Sequence, residues 1–532
     1  MRSWMGNDQS PFSVVLPDPP SLRALRSLAP HLLPFLLLLL VLPGCRKDAT
    51  FTEEGGIELD FSRDTVLFDT IFTTVGSVTK RFVARNPNNN AVRVDIALVG
   101  GSPSPFRINV DGASGTNFEG VEILGNDSIF IFVEATLDHQ NQSNPFVIED
   151  HIRFNTNGTA QEVLLVAWGR DAHFIRPDPS LAIEGLPPFS YIAGGYDENG
   201  NQICESVTWT ADLPYVVYGY GVVDSCCTLI IEPGVEVFFH NGGGLWVYHY
   251  GQIKANGAPA EPIVFQGDRL EPFYAEVPGQ WDRIWLNEGS SDLKNEFHHV
   301  LIKNALVGIQ CENLPWIPDA ATSEERLLLE NVRIRNCSAA GILSRNYSID
   351  ATNLLVGDCG QYGVALTGGG DYRMEHFTVA NYWNYEIRQT PGFYINNVYA
   401  DINNALQVRE VRGEFQNGIV YGANENEFQF EFNNLQPPTD LSFAYTLVRT
   451  TQTTSGSPYF DANSIFRNQS PGFVDVIARD FRLTASAFAR GRATPTVFFP
   501  TLSPALSSLW DLNGVGRGDD GQYDLGCFEY AP

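Results

Sequence analysis

Four stretches of the chain repeat one pattern: Ile302-Lys303-Asn304-Ala305-Leu306-Val307-Gly308-Ile309, Ile334-Arg335-Asn336-Cys337-Ser338-Ala339-Ala340-Gly341-Ile342, Val356-Gly357-Asp358-Cys359-Gly360-Gln361-Tyr362-Gly363-Val364 and Val379-Ala380-Asn381-Tyr382-Trp383-Asn384-Tyr385-Glu386-Ile387. Gly341, Gly363 and Tyr385 stand 22 residues apart in turn. The earlier step, Gly308 to Gly341, is 33, so an inserted loop is expected over 313–325. A period of 22 with short apolar runs is one coil of a parallel β-solenoid. Each coil leaves an apolar face that only the next coil can cover, so the units must stack. Upstream, Thr228 to Phe239, Gly244 to Val247, Gly251 to Gly257 and Pro262 to Phe265 continue the pattern of short strands led by turns.

The rest of the chain is also read as β. With 48 Gly, 32 Pro and 35 Phe, and with long helical periodicity nearly absent, the expected class is all-β. From Gly56 to His173 apolar and polar residues alternate in about seven runs, among them Val92 to Leu98 and Ile129 to Val133, broken by turns such as Asn86-Pro87-Asn88. That spacing suits a sandwich of two antiparallel sheets, and its order of strands and turns resembles immunoglobulin-like domains of bacterial surface proteins. Residues 174–203 read as a linker or cap, with Pro177, Pro179, Pro187 and Pro188.

Residues 204–532 resemble the right-handed parallel β-helix proteins of the pectate-lyase-like superfold, in the form found in Bacteroidetes lipoproteins. The resemblance rests on Ile231-Glu232-Pro233-Gly234-Val235, on Gln280-Trp281-Asp282-Arg283-Ile284, and on the ending Asp524-Leu525-Gly526-Cys527-Phe528-Glu529-Tyr530, expected as a last strand. The superfold hosts lyases, hydrolases and adhesins, so the fold leaves function open.

At the other end, Leu36 to Leu42 is too short to span a membrane and suits the core of a signal peptide over 1–44, with Arg23 and Arg26 before it. Leu42-Pro43-Gly44-Cys45 resembles a bacterial lipobox. The expectation is an exported chain, cut before Cys45, held by lipid on that cysteine in the cell envelope at the outer membrane, with 45–55 as tether. Asp8, Asp18 and the prolines of Met1 to Pro20 do not suit a signal peptide, so translation is expected to start downstream.

Charge narrows the partners. There are 62 Asp and Glu against 34 Lys and Arg, a net charge of −28, which argues against nucleic acid. Polysaccharide or an envelope protein is the expected partner. No cofactor is expected, calcium being the one left open, and no cysteine spacing suits zinc. Beyond Cys45 there are seven cysteines, an odd number, so at least one thiol is free. Cys204 is expected to pair with Cys226 or Cys227. Cys337 and Cys359, one coil apart, read as stacked thiols.

Asn304, Asn336, Asp358, Asn381 and Asp401 recur beside one turn and read as a backbone-bonding ladder. Asp358, Glu386 and Asp401 are the candidate catalytic acids, with solvated surface acids as the bland reading. Tyr382, Trp383, Tyr385 and Arg388 are the candidate ligand-binding residues, within an aromatic zone that includes Tyr372 and Tyr394. Arg517-Gly518-Asp519 reads as a loop rather than an adhesion motif. The favoured function is binding of glycan or a protein partner without catalysis. A polysaccharide lyase or glycoside hydrolase is the alternative, and a structural envelope component the third. A groove of clustered acids and bases would favour the enzyme; an aromatic stripe would favour binding.

Overall fold

The computed structural model describes residues 50–140, 142, 144–313, 321–438, 440–496 and 509–532. Cys45, the leader and most of the inserted loop lie outside the described residues. The chain divides into two compact units: one of residues 1–68, 76–136 and 148–166, the other of 69–75, 137–147 and 167–532.

The first unit is built on two five-stranded sheets. Lys80–Arg85 pairs antiparallel with Ser128–Ala135, which pairs with Phe106–Val110. In the other sheet Val92–Leu98 lies antiparallel between Asn117–Ile123 and Phe146–Thr156. Alternate residues are buried, as Val92, Val94, Ile96 and Leu98 are, because successive side chains of a strand point to opposite faces. Rings from the two sheets meet, Phe82 with Phe154 at 6.2 Å and Phe68 with Phe106 at 5.9 Å. The Asn-Pro turn has a purpose: the buried Asn86 amide donates to the carbonyls of Asn90, Ile123 and Leu124.

The second unit is a β-helix-like solenoid, one sheet of 21 strands from His173–Ile175 to Ile465–Arg467. The long strands β1 (Lys294–Lys303), β2 (Arg326–Arg335), β3 (Ala340–Gly357), β4 (Tyr362–Asn381), β5 (Val411–Gly422) and β6 (Leu441–Val448) pair in parallel, each on the next. Register places Ile302, Ile334, Val356, Val379, Val420 and Val448 in one inward column, and all are buried. Rings stack down the interior as well, Phe415 on Phe443 at 4.4 Å and Phe393 on Phe428 at 5.5 Å.

The repeated glycine now has a cause. A methyl group added at Gly308, Gly341 or Gly363 would lie 2.6, 2.4 or 2.7 Å from Ile334 Cγ2, Val356 Cγ1 or Val379 Cγ1. In each coil the same glycine makes room for the branched residue of the facing wall.

Corners are turned by left-handed residues. Asn304, Asn336 and Asp358 have φ of 64°, 58° and 50°, a region that Asn and Asp enter most readily. A second corner column, not foreseen from sequence, holds His299, Asn331, Asn353, His376, Asn417 and Tyr445, all at positive φ. Asp401 is a correction: it leaves the ladder and sits in a hairpin, Val398–Ala400 against Leu406–Val408. There its carboxylate accepts from the backbone of Asn403 and Ala405.

Cys204 is bonded to Cys226, with 5.3 Å between their Cα atoms. Cys227, Cys311, Cys337, Cys359 and Cys527 are buried free thiols. The ending also differs from expectation. Residues 524–530 form no strand; they belong to a cover laid over the outer side of β3 to β6. Leu355 and Ala380 are buried with Phe481, Leu512, Cys527 and Phe528, and Ile419 and Leu447 with Leu483, Ala487, Ala489 and Leu525. These coils are apolar on their outward side, and that side has to be removed from water.

Candidate binding groove beside the C-terminal cover

Between the two corner columns, alternate residues of each long strand face outward. One outward column runs Leu301, Arg333, Leu355, Thr378, Ile419, Leu447, and a second runs Lys303, Arg335, Gly357, Ala380, Tyr421. From β3 onward both are mostly apolar or small. In β1 and β2 they carry Leu301, Lys303, Arg333 and Arg335. Two clefts open there.

The first cleft, about 540 Å³, is lined by Ala258, Pro259, His299, Glu330, Arg333, Trp510 and Asn513 among others. Trp510 is 49% exposed. The Arg333 guanidinium donates to Leu512 O at 3.1 Å and Asn513 Oδ1 at 2.7 Å, both neutral groups. Burial holds its pKa below the usual value, with Asp511 and Cys527 opposing weakly. Burial also lowers the pKa of His299, which favours its neutral form. Glu330 pairs with His298 at 2.8 Å.

The loop that carries Trp510 is firmly held. The Asp511 carboxylate accepts from the backbone of Asn513, Val515 and Glu529 at 2.7, 2.8 and 2.9 Å. Arg517 is buried, pairs with Glu529 at 2.9 Å and donates to Asn353 Oδ1 at 2.6 Å. The Arg-Gly-Asp tripeptide is therefore a structural anchor with its arginine out of reach.

The second cleft, about 520 Å³, is lined by Glu276, Arg333, Arg335, Asp358, Ile477, Arg479 and Phe481 among others. Arg479 holds Asp358 at 2.6 Å and Glu276 at 2.5 Å, and Arg335 forks onto the same Glu276. Burial raises the Asp358 pKa, against the pull of Arg479. At Glu276 burial also works upward, but the ion pairs with Arg335 and Arg479 prevail and the pKa falls. The cluster is a set of mutually paired charges fastening the cover to the coils.

Of the sequence candidates, Glu386 is exposed on a loop, Asp401 caps its own hairpin, and Asp358 pairs with Arg479. Arg388 is a second correction: it is buried and pairs with the buried Glu427, which puts its guanidinium out of a ligand's reach. Tyr382 stacks on Phe481 beneath the cover at 6.1 Å, and Trp383 is buried. Tyr385 alone of the four is well exposed, at 51%, and its hydroxyl donates to the Glu276 carbonyl. Tyr372 fills the interior. An outward aromatic column exists elsewhere, but Trp246 and Trp285 lie face to face at 4.8 Å and use those faces on each other.

Trp510, Arg333 and Arg479 were missed by the sequence reading. The signal for Arg333 and Arg335 was present: aligning Leu301-Ile302-Lys303 with Arg333-Ile334-Arg335 exposes the alternation. Nothing in the repeat marks Trp510. Among the described residues, no group of three or more His, Cys, Asp or Glu could hold a metal ion.

No protein-family model matches the chain, and no curated protein does. Solved structures match over short stretches. A family 123 glycoside hydrolase from Clostridium perfringens is 10% identical with a TM-score of 0.16, over 21% of this chain and 26% of that one. The ASH/PapD-like domain of human CEP192 is 8% identical with a TM-score of 0.16, over 24% of this chain and 94% of that one. A Porphyromonas gingivalis protein of unknown function is 11% identical with a TM-score of 0.16, over 25% and 58%. The chain thus spans about a quarter of the length of the hydrolase. Likenesses this partial carry no argument about fold or function.

Proposed function

We propose that this chain is an exported lipoprotein, anchored through Cys45 at the outer membrane of a Bacteroidetes-type cell. Its immunoglobulin-like domain is a spacer, and its right-handed β-helix binds a glycan without cleaving it. The observation that carries the binding reading is Trp510. Half of its surface is open beside a cleft that Arg333 also lines, a guanidinium whose hydrogen-bond acceptors among the described residues are neutral. An aromatic face with a desolvated polar group beside it suits a sugar ring. The absence of catalysis is inferred from the acids: those lining the second cleft are saturated by arginine.

A glycan array, read together with reducing-sugar and unsaturated-uronate assays, tests this. A bound glycan with no product is expected, and Trp510→Ala should weaken binding at least about tenfold, as loss of an aromatic anchor does. Product release would sink the non-catalytic reading. Radiolabelled palmitate should label the wild-type chain and not Cys45→Ser.

The second reading, a polysaccharide-cleaving enzyme, is favoured by the clustering of acids and bases, Glu276 and Asp358 with Arg335 and Arg479 in one cleft, which is the arrangement expected of an enzyme. Glu276 and Asp358 face one cleft with pKa values displaced in opposite directions, as in an acid and base pair.

A further inference from the structure

The two clefts adjoin, because Arg333 lines both. The first takes Glu330, Asn331 and Arg333 from β2, the second Arg333, Ile334 and Arg335, so together they follow residues 330–335 of a single strand. Asn331 turns a corner, with φ of 57°, so the straight part of this run is 332–335, roughly 10 Å at the strand rise.

One wall is also shared. Leu512 from the first cleft and Phe481 from the second belong to one buried cluster around Leu355, the outward residue of the next coil. The opposite side is supplied by Pro259 and Pro262 at one end and by Glu276 at the other. The floor is the outward side of β2, where Arg333 stands at the junction.

We infer that the ligand is a linear oligosaccharide that lies across the solenoid along β2, occupying both clefts at once with Arg333 beneath its middle. This rests on the glycan-binding reading and adds that recognition is of an extended chain, not of a single residue or a chain end held in one cleft. Trp510 borders one half. Ile477, 91% exposed and lining the second cleft, borders the other.

Calorimetric titration of the full chain with the dimer and octamer of 1,4-linked galacturonate, and with the dimer and octamer of 1,4-linked glucose, tests the inference. In the series that binds, the octamer is expected to bind at least tenfold more tightly than the dimer. Ile477→Asp should weaken the octamer severalfold and leave the dimer unchanged, and circular dichroism should show it folded. Equal affinity for dimer and octamer, with Trp510→Ala still abolishing both, would overturn the spanning inference and leave glycan binding standing. No binding in either series would remove the glycan-binding reading itself.

Discussion

At the scale of single residues, several acids are buried where water cannot solvate them. Burial pushes the pKa of Glu325 up to about 9 and those of Glu375 and Glu529 to about 7. Glu375 is 1% exposed and one of its oxygens has no hydrogen-bond partner among the described residues. Its pKa in the folded chain lies above the 4.5 of an unperturbed Glu, so the folded chain holds a proton that the unfolded chain has released between those values. Stability from this group is therefore complete below about pH 4.5 and is lost as pH rises through about 7. Glu375→Gln removes the charge and should stabilise the protein at pH 8 by on the order of 2 kcal/mol, with the gain fading toward pH 5. Thermal melts at the two pH values would show it; an equal gain at both would contradict the assignment. Arg388 makes the opposite case. Its partner Glu427 is buried too, so Arg388→Ala strands a charge and should cost on the order of 3 kcal/mol or more in denaturant unfolding.

At the scale of the coil, the constraint is the approach of one wall to another. Gly341→Val sets branched carbon against Val356 Cγ1 and the Gly363 carbonyl, and should destabilise by at least about 2 kcal/mol. A surface change such as Glu386→Gln, on an exposed loop, should leave the melting temperature within a degree or two. The coil was legible in the sequence because this glycine and a left-handed Asn or Asp just before it recur from coil to coil. The groove was not. Its arginines come from the repeat, but its wall comes from Phe481 and Trp510, which lie far down the chain and outside any period. Arg388 misled for a related reason: an arginine next to aromatics reads as exposed until the buried Glu427, 39 residues on, is placed beside it. Asp401 was assigned to the ladder by spacing alone, and a hairpin insertion moved it away.

For the whole molecule, the cover is what turns a plain stack of coils into a surface with distinct regions. Phe481 touches the cluster around Leu355 and also stacks on Tyr382, so Phe481→Ala should cost about 3 kcal/mol or more. It should also open the C-terminal segment to protease before the coils themselves melt. Limited proteolysis with mass spectrometry would locate the first cut, and a first cut within the coils would refute the order. The Cys204–Cys226 bond gives the molecule a direction as well. A stack held only by neighbours frays from its ends, yet at the early end one coil is tied to the next by a covalent bond. Peeling from that side can take the strands ahead of Cys204 but cannot part the stapled coils without a reductant. Under oxidising conditions, disassembly would therefore run mainly one way, starting from the late coils and their cover and reaching the stapled coils last.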